Sequence, residues 1–271
     1  MSTNQQRREA AKRKLERQQA RRAQRSARRK KVAATTAGAI VIALVAVVVV
    51  ACAVNSSPSS PAPPPPPQAA GGRCAYQATP DEPAAKPVSV PTDLNPPADG
   101  TVQATMTTSQ GVLPITLNRA EAPCTVASFV HLAQAGYFNN TPCHRLVTEG
   151  SLKVLQCGDP SGTGSGGPGY TIPDEKPTTL KPGQQGASVY PRGVLAMANT
   201  GQPNSGGSQF FLVYADSQLP PDYTVFGTVS EPGIKVLEKV AAAGDDGSLD
   251  SSAGGGKPKL PTSIQSVSVA G

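Results

Sequence analysis

Hydrophobic and polar positions divide the chain into four textures. Residues 1–31 carry no aromatic and almost no aliphatic side chain. With no apolar face to bury, this stretch reads as disordered, or helical only on an anionic surface. Residues 32–54 are the reverse: 23 positions without a charge, mostly Val, Ala and Ile. A helix of that length covers roughly 34 Å, enough for a bilayer core of about 30 Å, so one transmembrane helix is expected. Residues 55–100 have no period and hold 13 of the chain's 28 prolines, with an unbroken run at 63–67. Proline-rich chain is stiff and extended and builds no core, which makes this stretch a spacer. Around Cys74 and Tyr76 it gains residues able to dock on a domain.

Beyond Thr101 the period becomes that of strands. Alternation over 102–108, a turn at Gly111 and a return over 115–117 predict a hairpin. Further strands are expected near 143–147, 154–157, 193–197, 209–214 and 224–229, with a last short one at Val267 and Val269. Pro123 suits the first turn of a helix that carries Val126, Phe129, Val130 and Ala133 and stops at Gly136. A second helix runs from about Pro232 through Ile234, Leu237 and Val240 and ends by Gly244. Many short strands and two helices predict a mainly β domain, a closed or nearly closed barrel with helical caps. The absence of a βαβ rhythm disfavours a doubly wound sheet.

Charge sharpens this division. The chain has 25 Lys+Arg against 18 Asp+Glu, a net +7, but residues 1–31 hold 13 basic and 2 acidic residues while residues 55–271 hold 12 and 16. The basic character belongs to the tail, which argues against a folded nucleic-acid-binding domain. A basic block ending at Lys30-Lys31 ahead of the uncharged run should stay cytoplasmic. The expected location is therefore the cell membrane, single-pass, with the C-terminal domain on the extracytoplasmic side. In a variant of this reading, Val49-Val50-Ala51-Cys52 is a lipoprotein box and Cys52 carries the anchor. Ten of the 11 aromatics lie at or beyond Phe129, and there is no Trp, so the core belongs to the C-terminal part.

Candidate chemistry is narrow. The only histidines are His131 and His144, and no His/Cys/Asp cluster has metal spacing. The glycine-rich loop at 158–169 lacks the Lys-Ser/Thr of a phosphate loop, and no Gly-x-Ser-x-Gly elbow is present. His131, on the first helix, reads as an exposed polar position. Five blocks point elsewhere: Cys143-His144-Arg145-Leu146, Leu155-Gln156-Cys157-Gly158-Asp159, Gly193-Val194-Leu195-Ala196-Met197-Ala198-Asn199, Ser205-Gly206-Gly207-Ser208-Gln209-Phe210-Phe211, and Tyr223-Thr224-Val225-Phe226-Gly227. In this order and spacing they resemble the cyclophilins, peptidyl-prolyl cis-trans isomerases, over about residues 101–271.

The resemblance implies a closed eight-stranded antiparallel barrel capped by two helices, with an active groove on its outer face. It places the catalytic arginine at Arg145 and its supporting glutamines at Gln156 and Gln209. Substrate-backbone contacts fall on Ala198 and Asn199, and the proline pocket on Phe211, Leu219, Tyr223 and Val154. Strand alternation agrees on one point: Gln209 and Phe211 share a side and Phe210 takes the other. No cofactor or metal is implied; the partners are Pro-containing polypeptides and the membrane, with no nucleic acid, and a monomer is expected. The chain departs from the family pattern at Gln218, where Trp is common, and at Tyr223, which replaces a rim His. It is also a few residues longer between Arg145 and Gly158. That puts Lys153-Val154 where the pocket usually has Phe-Met, a place Leu152 can help to fill.

Four cysteines lie outside the apolar run, an even number in a domain expected to face outward, with three possible pairings. The family fold pairs the strands bearing Cys143 and Cys157, which favours that bridge and leaves Cys74 with Cys124. A membrane-tethered binding module for Pro-containing segments, with little turnover, is the competing function. An envelope structural protein is a remoter third.

Overall fold

A computed structural model describes residues 73–270. The expected basic tail, the membrane helix and residues 55–72 of the spacer lie outside the described residues. No helix among the described residues is long and apolar enough to cross a membrane.

In chain order the strands are β1 (Gln77–Ala78), β2 (Thr101–Thr108), β3 (Gly111–Asn118), β4 (Thr141–Pro142), β5 (Arg145–Val147), β6 (Val154–Cys157), β7 (Tyr170–Thr171), β8 (Lys181–Pro182), β9 (Ser188–Tyr190), β10 (Val194–Met197), β11 (Phe210–Val213), β12 (Ser217–Leu219), β13 (Val225–Val229) and β14 (Ser263–Val269). The helices are α1 (Pro123–Gln134), after β3, and α2 (Glu231–Ala242), after β13. Nine strands form one antiparallel sheet in the order β4-β14-β2-β3-β13-β10-β11-β6-β5. β12-β9-β8 and β1-β7 form two small sheets.

The expected closed eight-stranded barrel is corrected to this curled, unclosed nine-stranded sheet. Its edges, β4 and β5, are neighbours in sequence yet do not pair. The physical reason lies at β5. Its free edge is taken by Gly256, with Leu146 N donating to Gly256 O at 2.7 Å and Gly256 N donating to Leu146 O at 3.0 Å. On the opposite edge β4 ends in Pro142, which has no N–H to offer a ladder.

Alternation then sorts side chains by face. On β6, β10, β11 and β13 the residues Leu155, Cys157, Leu195, Met197, Phe210, Leu212 and Phe226 join the inner core. Val154, Val194, Ala196, Phe211, Val213 and Val225 form a second cluster on the outer face. α1 and α2 close the inner face with Val126, Phe129, Leu132, Ile234, Leu237 and Val240. α1 has no side-chain cap of its own. The Glu175 carboxylate takes that role, accepting from Cys124 N (2.9 Å), Thr125 N (2.9 Å) and Thr125 Oγ1 (2.7 Å).

Within the stretch read as spacer, residues from Arg73 onward pack on the domain. Cys74 is bonded to Cys124, Tyr76 is buried with its hydroxyl donating to Cys124 O (2.8 Å), and β1 pairs with β7. His131, expected to be an exposed bystander, is half-buried against this strap, with Nε2 2.8 Å from Ser89 O. The second bridge is Cys143–Cys157, so both favoured pairings are present.

Candidate active site

Four strands set the site. Arg145 on β5 is opposite Gln156 on β6, and Gln156 is opposite Phe211 on β11. Phe211 in turn faces Ala196 on β10. This row runs across the outer face, so the ladder alone brings a guanidinium, an amide and an aromatic ring side by side.

Hydrogen bonds then fix the polar end. Arg145 NH1 donates to Gln156 Oε1 at 3.1 Å, Gln156 Nε2 donates to Gln209 Oε1 at 2.9 Å, and Gln209 Nε2 donates to Gly164 O (2.9 Å) and Gly166 O (3.0 Å). The loop supplying those carbonyls is tied down by Asp159, which is 0% exposed. Its carboxylate accepts from Ser161 N (2.8 Å), Ser161 Oγ (2.7 Å), Gly164 N (2.7 Å) and Gly166 N (3.1 Å). Burial alone would raise the Asp159 pKa; these donors outweigh it, led by the Ser161 hydroxyl, and the net shift is downward. The carboxylate is therefore ionised at neutral pH.

Arg145 is also held from outside. Nε donates to Gly254 O at 3.0 Å and NH2 donates to Ala253 O. Of five guanidinium N–H groups, three are committed and two, one each on NH1 and NH2, remain. Burial lowers the Arg145 pKa from its ordinary value. An arginine so shifted still carries its charge at neutral pH.

The apolar end is a slot beside Arg145. Phe211 meets Tyr223 edge-on, with ring centroids 5.5 Å apart. Leu152, Val154 and Leu219 complete the slot within a cavity of about 570 Å³. Ala198 and Asn199 form its rim. Asn199 is braced, Nδ2 donating to Asp222 O (3.0 Å) and Oδ1 accepting from Gly201 N (3.0 Å). Leu152 thus fills the place that Lys153 cannot; the Lys153 ammonium donates to Thr148 O instead. Gln218 does not line the cavity, and its Oε1 accepts from Gln184 N at 2.8 Å.

All nine expected site residues therefore border one groove or its polar support. Two features escaped the sequence reading. Tyr190 braces the slot from below: its hydroxyl donates within 3.1 Å of Pro220 O and Tyr223 O and accepts from Tyr223 N (3.2 Å). The segment 248–257 overhangs the groove with Ser248, Leu249, Ala253 and Lys257. Its signal was the run Gly254-Gly255-Gly256. Gly255 has φ +69°, and a Cβ there would lie 2.1 Å from Leu146 O, so only glycine lets this segment reach β5.

A sequence profile of the family described as "Cyclophilin type peptidyl-prolyl cis-trans isomerase/CLD" matches residues 103–269. The chain belongs to the cyclophilin family. "Probable peptidyl-prolyl cis-trans isomerase B" of Mycobacterium leprae is 50% identical over 202 residues, covering 73% of this chain and 66% of the relative. The protein of the same name from Mycobacterium tuberculosis is 48% identical, covering 73% and 64%. The match thus spans slightly less than two thirds of the length of these relatives. Among solved structures, a cyclophilin type peptidyl-prolyl cis-trans isomerase of Cryptosporidium parvum is similar at TM-score 0.52 and 28% identity, covering 64% of this chain and 99% of that one. The same protein in the presence of the dipeptide Ala-Pro gives TM-score 0.51 at 29% identity, covering 62% and 99%.

Proposed function

We propose that this cyclophilin is a peptidyl-prolyl cis-trans isomerase acting on Pro-containing polypeptides at the outer side of a cell membrane. The observation that carries the catalytic reading is the Arg145–Gln156–Gln209 chain lying in register beside the Phe211 slot. An X–Pro bond turns slowly because amide resonance must be broken, against a barrier of about 18–20 kcal/mol. A guanidinium donating to the prolyl nitrogen favours the twisted state, in which that nitrogen's lone pair is localised. Arg145 has two N–H groups left for this task, and its other three bonds keep it from moving away. The slot of Phe211, Leu219 and Tyr223 holds the ring, Ala198 and Asn199 hold the flanking backbone, and the preceding carbonyl rotates. The reaction needs no cofactor.

Support for the location comes from the uncharged 32–54 run behind a basic block, and from two disulfides, which persist in oxidising compartments. The role that follows is helping envelope or secreted proteins to fold, as a monomer.

The test is kcat/KM of the full chain on a short X–Pro peptide, with the melting temperature of each variant measured alongside. Arg145→Ala should lose about a hundred- to a thousand-fold, the effect of one preorganised donor worth roughly 2.7–4 kcal/mol. Peptide affinity should fall much less. Arg145→Lys should rescue poorly, since an ammonium lacks the planar fork. Near-native turnover in folded Arg145→Ala would overturn this role, and binding without turnover in the unaltered protein would establish the binding-module reading.

A further inference from the structure

A second cavity, of about 640 Å³, adjoins the first and shares Gln156, Gly164, Ala198 and Asn199 with it. A polypeptide whose proline occupies the Phe211 slot therefore has a continuous path into it. Two walls are the loop 164–169 and the segment 205–209; the remaining wall is the strap, through Thr79, Glu82 and Pro83. The two cavities differ in charge. The first is lined by Arg145 and Lys257 and by no carboxylate. The second has Glu82 as its one carboxylate and no cation.

Glu82 is exposed, and the ion pairs among the described residues, Lys176–Asp222, Arg192–Glu231 and Arg192–Glu238, leave it out. Its backbone is nevertheless fixed. Glu82 N donates to Thr79 O (3.0 Å) and Glu82 O accepts from Thr79 Oγ1 (3.0 Å), closing a tight turn. On either side, Thr79 N donates to Gly169 O and Ala85 N to Gly167 O, both at 2.9 Å. The Lys86 ammonium clamps the strap to Gly136 O (2.7 Å) and Asn139 O (3.2 Å), and Cys74–Cys124 anchors its start. Gly169 has φ +79°, and a Cβ there would sit 3.0 Å from Ala84 N, so the loop is shaped to admit the strap at close range. A charge on so well-fastened a turn is held at the cavity before any substrate arrives, which lowers the ordering cost of using it.

We propose that the strap is a substrate-selecting wall, in which the Glu82 carboxylate favours polypeptides carrying Lys or Arg close to the isomerised proline. This rests on the isomerase reading above. The test uses the full chain and peptides with one central X–Pro bond in an alanine background. A single Lys or Glu is placed in turn at each of three positions before and after the proline. At positions on the side that enters the second cavity, Glu82→Gln should lower the Lys-over-Glu ratio of kcat/KM by about 1.5- to 5-fold, the range of an exposed ion pair. Glu82→Lys should push that ratio further down, and added salt should shrink the difference between the three proteins. Both variants keep the backbone turn, so folding is not at stake. An unchanged ratio at all six positions would overturn the proposal. If no peptide is turned over, the isomerase reading fails instead, and the same ratio read from the peptides' dissociation constants decides the role of Glu82.

Discussion

Phe210 and Phe211 are consecutive, chemically identical and almost equally buried, at 0% and 5% exposure. Their surroundings differ completely. Phe210 lies 5.6 Å, centroid to centroid, from both Phe129 and Phe138, in a layer that both helices close. Phe211 looks outward, against Tyr223 at 5.5 Å and Tyr190 at 6.4 Å, beneath an open groove. One strand thus serves two purposes at a period of two residues. The inner face is packed to hold the domain together, and the outer face is packed only enough to shape a slot. Burial does not tell them apart; what lies beyond each ring does.

The sharpest way to break this comparison is to truncate both rings. Phe210→Ala should cost about 3–5 kcal/mol in urea unfolding, because the cavity it leaves is sealed. Phe211→Ala should cost roughly half of that, since the groove admits water to the space, but it should lower peptide affinity and kcat/KM together. Equal stability losses, with turnover untouched in Phe211→Ala, would show that the two faces are not specialised as described.

The disulfides sharpen the same contrast with a smaller effect. Cys74–Cys124 closes a separation of 50 residues and Cys143–Cys157 one of 14. Loop entropy assigns about 4 kcal/mol to the first and about 3 kcal/mol to the second. Their functional weights should run the other way. Cys157 points inward while its neighbour Gln156 points outward to Arg145, so the shorter bridge staples the link into β5 onto β6, the two strands that carry the proposed catalytic pair. The Cys143→Ser/Cys157→Ser double variant should therefore lose more kcat/KM on a neutral peptide than the Cys74→Ser/Cys124→Ser variant, despite losing less stability. The opposite ranking in both measurements would separate the bridge from the site.

Legibility in the sequence follows from the same physics. β2, β3, β6 and both helices were readable because each is long enough, or clean enough, for its period to show. Of the residues that border the groove or its polar support, Arg145, Gln156, Ala198, Asn199, Gln209, Phe211 and Tyr223 were readable through the five blocks, and the opposite faces of Phe210 and Phe211 through alternation. β7, β8, β9 and β12 were not: at two or three residues they hold no period, and pairing with distant partners creates them. The packing of residues 73–100 was hidden by composition, since prolines that suggest a free stalk also suit a strap held by Lys86 and a disulfide. Barrel closure failed as an expectation because the segment around Gly256, a glycine run without hydrophobic pattern, occupies the edge that β4 would need.

The smallest expected effect concerns His144, which joins β4 to β5 between the bridged Cys143 and Arg145, the proposed catalytic residue. It is 9% exposed and its Nδ1 has no hydrogen-bond partner. Burial is the main influence and lowers its pKa; Asp159 opposes this and Arg145 adds to it, leaving the net shift downward. In the unfolded chain the imidazole takes its proton near the ordinary value of about 6.5, and in the folded chain only at lower pH. Between those two values the unfolded state binds more protons, so stability rises with pH across the window. It is undiminished above about pH 6.5 and is lost as pH falls toward the folded value. Asp159 acts elsewhere: its lowered pKa gives stability that is lost only in acid below about pH 4. His144→Gln removes the proton-binding site but not Asp159 or Glu175, whose contributions cancel in a comparison of the two proteins. Urea midpoints measured from pH 7.5 down to pH 5 should fall further for the unaltered protein than for His144→Gln. The kcat/KM of the unaltered protein should begin to fall only at lower pH than the urea midpoint does, because the cation that disturbs the Arg145 guanidinium forms only as pH approaches the folded value. Parallel curves for the two proteins would mean that the folded chain protonates His144 as readily as the unfolded chain does, so that its burial contributes nothing to the acid sensitivity.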